Sequence, residues 1–409
     1  MSLTARTFIL AIFLFSLSGV AFAEPAWKAS IGIAQEFNDN VNEEHEGEHD
    51  HITSLRPALS YKREASRLTL DAVYSGDYRY YARQTNDEEF NHNLNARALL
   101  DAWNSFLFLE ATDTYRLVNE DVTKGNATED DSTSSQVQQN TFTFSPYIAP
   151  RFGERGKAKI GYAYSNIWYD DEDKDKKNIH KGFADVDYEL SERASILGGY
   201  SCAREVSDND TLDRHIAYLG GRYAYSGRGT VYLKVGPQYT RYHDEGSSAT
   251  SLFWDAGLNH DFGPVQLALT SGISFDDDPD TGETYERRFG TARVTRTWDR
   301  TTASVFASLE DYEESADRGD GVESVRRTAL GLNLSHEFTA RLSGTAGLSH
   351  DFDDSDDNTR RWMANLGLAY ELAENMNLSA WYRFKDSSSD DEDEDFRVNR
   401  VGVQITYFF

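Results

Sequence analysis

The last ten residues, Arg400 to Phe409, alternate as far as Tyr407 and end on two aromatic residues. Val401, Val403, Ile405, Tyr407 and Phe409 share one face, and Arg400, Gly402, Gln404 and Thr406 share the other. Successive side chains of a strand point to opposite sides, so this segment is a strand with hydrocarbon on one face and water on the other. An edge strand of a soluble sandwich would break such an apolar face with charge or proline.

The amino terminus fits a chain bound for a membrane outside the cytoplasm. Arg6 precedes an apolar core at 8–20, and Ala21-Phe22-Ala23 supplies a small-x-small cleavage site. Residues 1–23 are therefore expected to be a cleaved signal peptide and 24–409 a single domain. No later stretch approaches the roughly 18 apolar residues that a spanning helix needs. Tyr and Phe stand at 23 each and Gly at 29, against seven Pro and three Met. That balance suits strands with aromatic girdles at two interfaces. A lone Cys202 excludes an internal disulfide framework and the Cys-x-x-Cys-His attachment of c-type haem. The formal net charge of −28, which loss of Arg6 with the leader makes −29, argues against a nucleic-acid partner.

Along the chain, alternating segments of ten to fourteen residues are joined by connections of two kinds. Short polar turns fall near 63–66, 153–156, 191–193, 226–229, 263–264, 299–300, 339–340 and 373–375. Long acidic loops fall at 38–50, 120–138, 170–178, 276–285, 353–358 and 386–395. Segments 188–200, 336–348 and 370–382 repeat one phrase: a strand end, a tight turn, and alternation resumed. Short turns on one side and long loops on the other define an all-β, transmembrane, antiparallel up-and-down barrel, with turns in the periplasm and loops outside. The count is about twenty strands, with eighteen as the other reading, and an even count returns both ends to the periplasm. A barrel this wide cannot be filled by its own side chains, so its lumen is expected to hold water or an infolded loop, 120–138 being the longest.

A charge facing hydrocarbon at mid-bilayer costs roughly 2–4 kcal/mol, so charges on these strands must point inward. The lumen-facing set is expected to include Arg327, Glu337, Arg361, Glu371, Arg383, Arg400 and Gln404. Each of these serves equally to solvate a lumen or to line a path for a polar solute. The acid and histidine mixture at 43–51 and the acidic run at 390–395 lack fixed ligand spacing, so no metal or cofactor is expected. His243-Asp244, His260-Asp261 and His350-Asp351 are neighbours that point to opposite faces of a strand, and no strained serine elbow accompanies them. No enzyme is expected.

The terminal alternation through Val403, Ile405, Tyr407 and Phe409 resembles the signal by which outer-membrane barrels are recognised for insertion. Segments 52–71, 90–96 and 140–153, in that order, resemble the outer-membrane barrels associated with PEP-CTERM/exosortase systems, which are encoded with exopolysaccharide genes. The resemblance implies an outer-membrane place in a Gram-negative bacterium and a role as channel or scaffold in exopolysaccharide secretion or envelope assembly. Implied partners are outer-membrane lipid and lipopolysaccharide, the barrel-insertion machinery and polysaccharide export components. Two alternatives stand beside it: a general or solute-specific porin, and a sleeve for a periplasmic electron carrier.

Overall fold

Strand β1 (Ala26–Asn38) pairs antiparallel with β2 (Asp50–Glu64), from Ala26↔Lys62 to Asn38↔Asp50. The same step repeats until β21 (Phe396–Phe408) returns to β1, from Ser30↔Phe408 to Asn38↔Arg400. The two-residue β7 (Arg151–Phe152) continues β6 (Gln136–Ile148) past Pro150, because both pair with β8 (Gly156–Tyr169). Among the described residues, twenty full strands thus close one ring. These come from a computed structural model that describes residues 26–409 except 125–135, 172, 208–210, 244–245, 280–281, 315–323, 356–357 and 391–394. The expected leader at 1–23 lies outside them. With strands ~4.8 Å apart and tilted by roughly 40°, twenty strands enclose about 40 Å from wall to wall.

The short connections all fall at one end of the ring and the long ones at the other. One short turn, at 104–106, carries no glycine to announce it in the sequence. The Asp101 carboxylate does the work instead, accepting from Ser105 N at 2.8 Å and Ser105 Oγ at 3.1 Å. That holds Asn104 and Ser105 left-handed, at φ 45° and 57°.

Parity decides the two faces. Ile33, Leu219, Leu252, Leu309, Leu330 and Leu366 all stand exposed on the outer surface, where lipid covers them. Aromatic side chains mark both ends of this band. At the short-turn end Trp103 meets Phe106 at 5.6 Å, Phe152 stacks on Tyr188 at 6.4 Å, and Tyr407 meets Phe409 at 5.0 Å. Toward the loop end the belt is built from tyrosine–histidine pairs, with Tyr74 Oη 2.7 Å from His92 Nδ1 and Tyr200 Oη 2.8 Å from His215 Nδ1. A ring with one polar atom suits a boundary that is greasy on one side and wet on the other.

The outer loops are tied to the rim by carboxylates. Asp50 has no exposed surface and accepts hydrogen bonds from His51 N (2.6 Å), Arg83 N (2.9 Å) and Thr85 Oγ1 (2.8 Å). Burial alone would raise its pKa. The donors from Arg83, Thr85 and His51 outweigh that and hold the carboxyl below its usual 3.8. A carboxyl depressed on folding stabilises above its unfolded pKa and loses that contribution as pH falls through the folded value. The 82–88 loop should therefore stay closed at neutral pH and loosen only in acid below pH 3.8. Asp50→Ala should loosen it at pH 7, giving trypsin access to the bond after Arg83 in folded barrels that otherwise resist cleavage there.

Candidate functional site in the lumen

The inner face is charged, and many of its charges are paired. On β17 (Ser324–Glu337), Arg327 Nη2 donates to Asp351 Oδ2 at 2.8 Å on β18 (Leu342–Asp354). Arg361 on β19 (Thr359–Ala373) pairs with Asp353, which also lies 3.7 Å from Arg327. Two arginines and two aspartates thus form one cluster at the outer end of the lumen. Arg400 on β21 and Lys385 on β20 (Met376–Ser388) both hold Glu43, at 3.4 and 2.9 Å, drawing the 39–49 loop over the opening. Gln404 accepts from Arg56 Nη1 at 3.0 Å and donates to Thr406 at 2.7 Å. Arg383, paired in register with Arg400, lies 5.8 Å from the Trp381 ring. Glu337 and Glu371 sit apart from these, next to the short turns, where their backbone N–H groups bond Arg300 O and Arg341 O.

The lumen is narrowed by a displaced piece of its own wall. Strand β13 (Ser248–Asp261) pairs with β14 (Val265–Asp277) only from Asp261↔Gln266 to Asp255↔Gly272. Beyond that point β14 stays paired with β15 (Thr284–Thr297) as far as Asp277↔Thr284 but leaves β13. The hairpin tucks inside the neighbouring wall. Glu286, by parity an outer-face residue, is 2% exposed and accepts from the inward Gln238 at 3.1 Å. Phe275, of the same outer parity, lies 3.5 Å beneath the guanidinium of Arg214. Arg214 is in turn paired with Glu205 at 2.7 Å.

The hairpin tip reaches further. Lys177, at the start of β9 (Lys177–Ser191), pairs with Asp277 and donates to Thr284 Oγ1 at 2.7 Å. Val122 N, in the single helical turn Val122–Lys124, donates to Asp278 Oδ2 at 2.9 Å. The carbonyl of Lys124 accepts from Arg327 on β17, nearly opposite in the ring. The expected infolded loop thus has its described start, 120–124, across the lumen, while 125–135 lie outside the described residues and Gln136 to Gln138 belong to β6. Between the hairpin and the facing wall lies a cavity of about 810 Å³, with Arg56, Asp77, Arg79 and Arg116 on one side and Asp276 and Arg287 on the other.

The hairpin did leave a trace in the sequence. Asp276 and Asp277, like Glu286, Arg287 and Arg288, put charge on both parities of adjacent strands. The trace is not unique to it, since Arg326-Arg327 and Arg360-Arg361 also put charge on both parities of strands that stay paired in the wall. Among the described residues, no group of His, Cys, Asp and Glu gathers with metal-holding geometry. The described part of the 390–395 run is too short to place its acids, as Asp391 to Glu394 lie outside it.

This architecture is that of an outer-membrane β-barrel. Over residues 26–196 and 290–409 the chain matches the family described as "Putative beta-barrel porin 2", and it belongs to that family. No curated protein sequence matches it. Among solved structures it is similar to the siderophore receptor PirA from Acinetobacter baumannii, at 7% identity and a TM-score of 0.54, over 95% of this chain and 81% of that one. It is also similar to a variant of the ferric enterobactin receptor PfeA from Pseudomonas aeruginosa, at 8% identity and 0.53, over 94% and 80%. At such identities the likeness is one of fold.

Lys177 is buried, and removing one partner of a buried ion pair costs about 3–5 kcal/mol. Lys177→Met should therefore free the hairpin tip and raise the ion current through reconstituted barrels, as measured one channel at a time. An unchanged current would mean that the hairpin does not set the aperture.

Proposed function

We propose that the barrel is a restricted diffusion channel in the outer membrane of a Gram-negative bacterium, serving the secretion of an exopolysaccharide. The observation that carries the channel reading is the state of the lumen: many of its charges are paired along the wall, and a hairpin and a loop turn narrow it. Pairing by itself does not argue for a purely structural wall, since a paired buried charge is often no more stabilising than a hydrophobe of its size. A lumen of fixed, paired charge keeps water inside and lets a polar solute exchange hydrogen bonds as it moves. Support for the polysaccharide comes from the resemblance of segments 52–71, 90–96 and 140–153 to barrels encoded with exopolysaccharide genes.

The reading assigns no catalytic step and no cofactor. Its partners are lipopolysaccharide around the outer belt, the polysaccharide export components, and the insertion machinery acting on the last strand. In that strand Val403, Ile405 and Tyr407 face outward and are exposed. Phe409 is 78% exposed, with its backbone N–H bonded to Ala29 O at 2.9 Å.

Purified protein in planar bilayers should give discrete conductance steps, and a membrane that stays sealed would count against the channel. Deleting Phe409 should lower the amount of heat-modifiable, folded barrel in the outer membrane without lowering synthesis. Normal assembly of that deletion would remove the terminal strand's role as a signal. Loss of the gene should reduce polysaccharide released into the medium, and unchanged release would remove the secretion role while leaving a channel.

A further inference from the structure

The lumen carries a row of paired residues, aromatic in its lower half, whose register climbs the wall. In β5 (Leu107–Asn119), Phe108 is paired with Tyr147. From there the partners run Tyr147↔Gly161, Gly161↔Phe183, Phe183↔Ser201 and Ser201↔Ile216, with Ile216 on β11 (Thr211–Ser226). The last step is Ile216↔Gln238, on β12 (Gly229–Tyr242). Phe108 is one residue from a short turn, whereas Gln238 lies near the outer end of its strand and touches the infolded hairpin. Because strands of a barrel are tilted, a row of paired residues is a spiral and not a level ring. This one rises from the periplasmic mouth to the constriction.

Tyr218 and Phe253 extend it, two residues off the row on β11 and β13, with ring centroids 6.1 Å apart. All five aromatic residues are half-buried and share the inward parity. Glycines lie under two of the rings. A Cβ at Gly161 would come within 2.8 Å of the Phe183 ring, and one at Gly199 within 2.5 Å of the Tyr218 ring. A ring laid over a neighbouring glycine presents its face, not its edge, to the lumen.

The flanks supply hydrogen-bonding groups of both signs. Lys159 Nζ lies 4.0 Å from the Tyr147 centroid and 5.5 Å from Phe183. Tyr218 Oη donates to Asp185 at 2.6 Å, while Tyr232 Oη and Lys234 Nζ donate to Asp255 at 3.0 and 2.8 Å. Arg97 holds Glu110 at 2.7 Å. Arg97, Lys159 and Lys234 are thus matched by Glu110, Asp185 and Asp255.

The geometry points to a binding track for a neutral saccharide chain along this wall, an inference that rests on the channel reading above. Sugar rings have an apolar C–H face that stacks on an aromatic face and an equatorial rim of hydroxyls that both donate and accept. Successive aromatic rings with mixed donors and acceptors between them match that pattern. A hydrocarbon chain would strand the flanking charges. A polyanion would meet as many carboxylates as cations.

The test uses the whole barrel in planar bilayers, with maltoheptaose and cellohexaose as neutral probes and an oligogalacturonate as the anionic one. A neutral probe should interrupt the open current in a saturable way. Phe183→Ala combined with Tyr218→Ala should weaken that block roughly tenfold, each lost stacking contact being of the order of an aromatic pair. Phe183→Tyr with Tyr218→Phe should restore it, which a folding defect would not allow. Block that is absent with both neutral probes, stronger with the anionic one, or equal in the alanine variant would overturn the track while current persists. Absence of any current would overturn the channel reading instead.

Discussion

A peptide group in hydrocarbon has no water to bond, so every N–H and C=O on the spanning strands must find another strand. That demand closes the ring. The seam between β1 and β21, nine paired residues from Ser30↔Phe408 to Asn38↔Arg400, is the one place where the two ends of the sheet meet. The backbone N–H of Phe409 extends it by bonding Ala29 O. Without this seam, both edge strands would expose unpaired groups to lipid, at several kcal/mol for each.

Closure by strands separates two solvents across a single residue step. Leu330 faces lipid while its neighbour Ala329 is 9% exposed on the lumen side. The inner face then has to keep charge in a confined space, and it does so locally. Arg327 and Arg361 meet Asp351 and Asp353, Arg56 and Arg79 meet Asp77, and Lys385 and Arg400 meet Glu43. The last set also shows how an acidic loop is drawn inward although the chain carries a large negative charge overall. A loop carboxylate gains more from buried cations on the rim than from solvent it shares with many other acids.

The place where this partition fails is the place where the barrel becomes specific. Glu286 and Arg288 stand at positions of outward parity, yet there the outer half of the β14–β15 hairpin leaves β13 and overlaps the wall from within. The overlap turns a wide cylinder into a narrow passage. It also meets the top of the aromatic row at Gln238, so the track and the constriction form one path.

Much of this was legible in the chain itself, because alternation with period two reports a local fact: which of two solvents each residue prefers. The terminal strand, the barrel class, the even strand count and the separation of turns from loops follow from it. So does the inward parity of Arg327, Arg361 and Arg400. The turn at 104–106 has no such local mark: Asn104 and Ser105 are held left-handed by the Asp101 carboxylate, a contact that alternation does not report. What no local pattern holds is the circumference. Register between strands decides that Phe108 and Gln238 share one spiral, that Lys124 reaches Arg327 across the lumen, and that Lys177 meets Asp277 one hundred residues away. Those contacts depend on curvature and tilt, which arise only once all the strands have closed on one another.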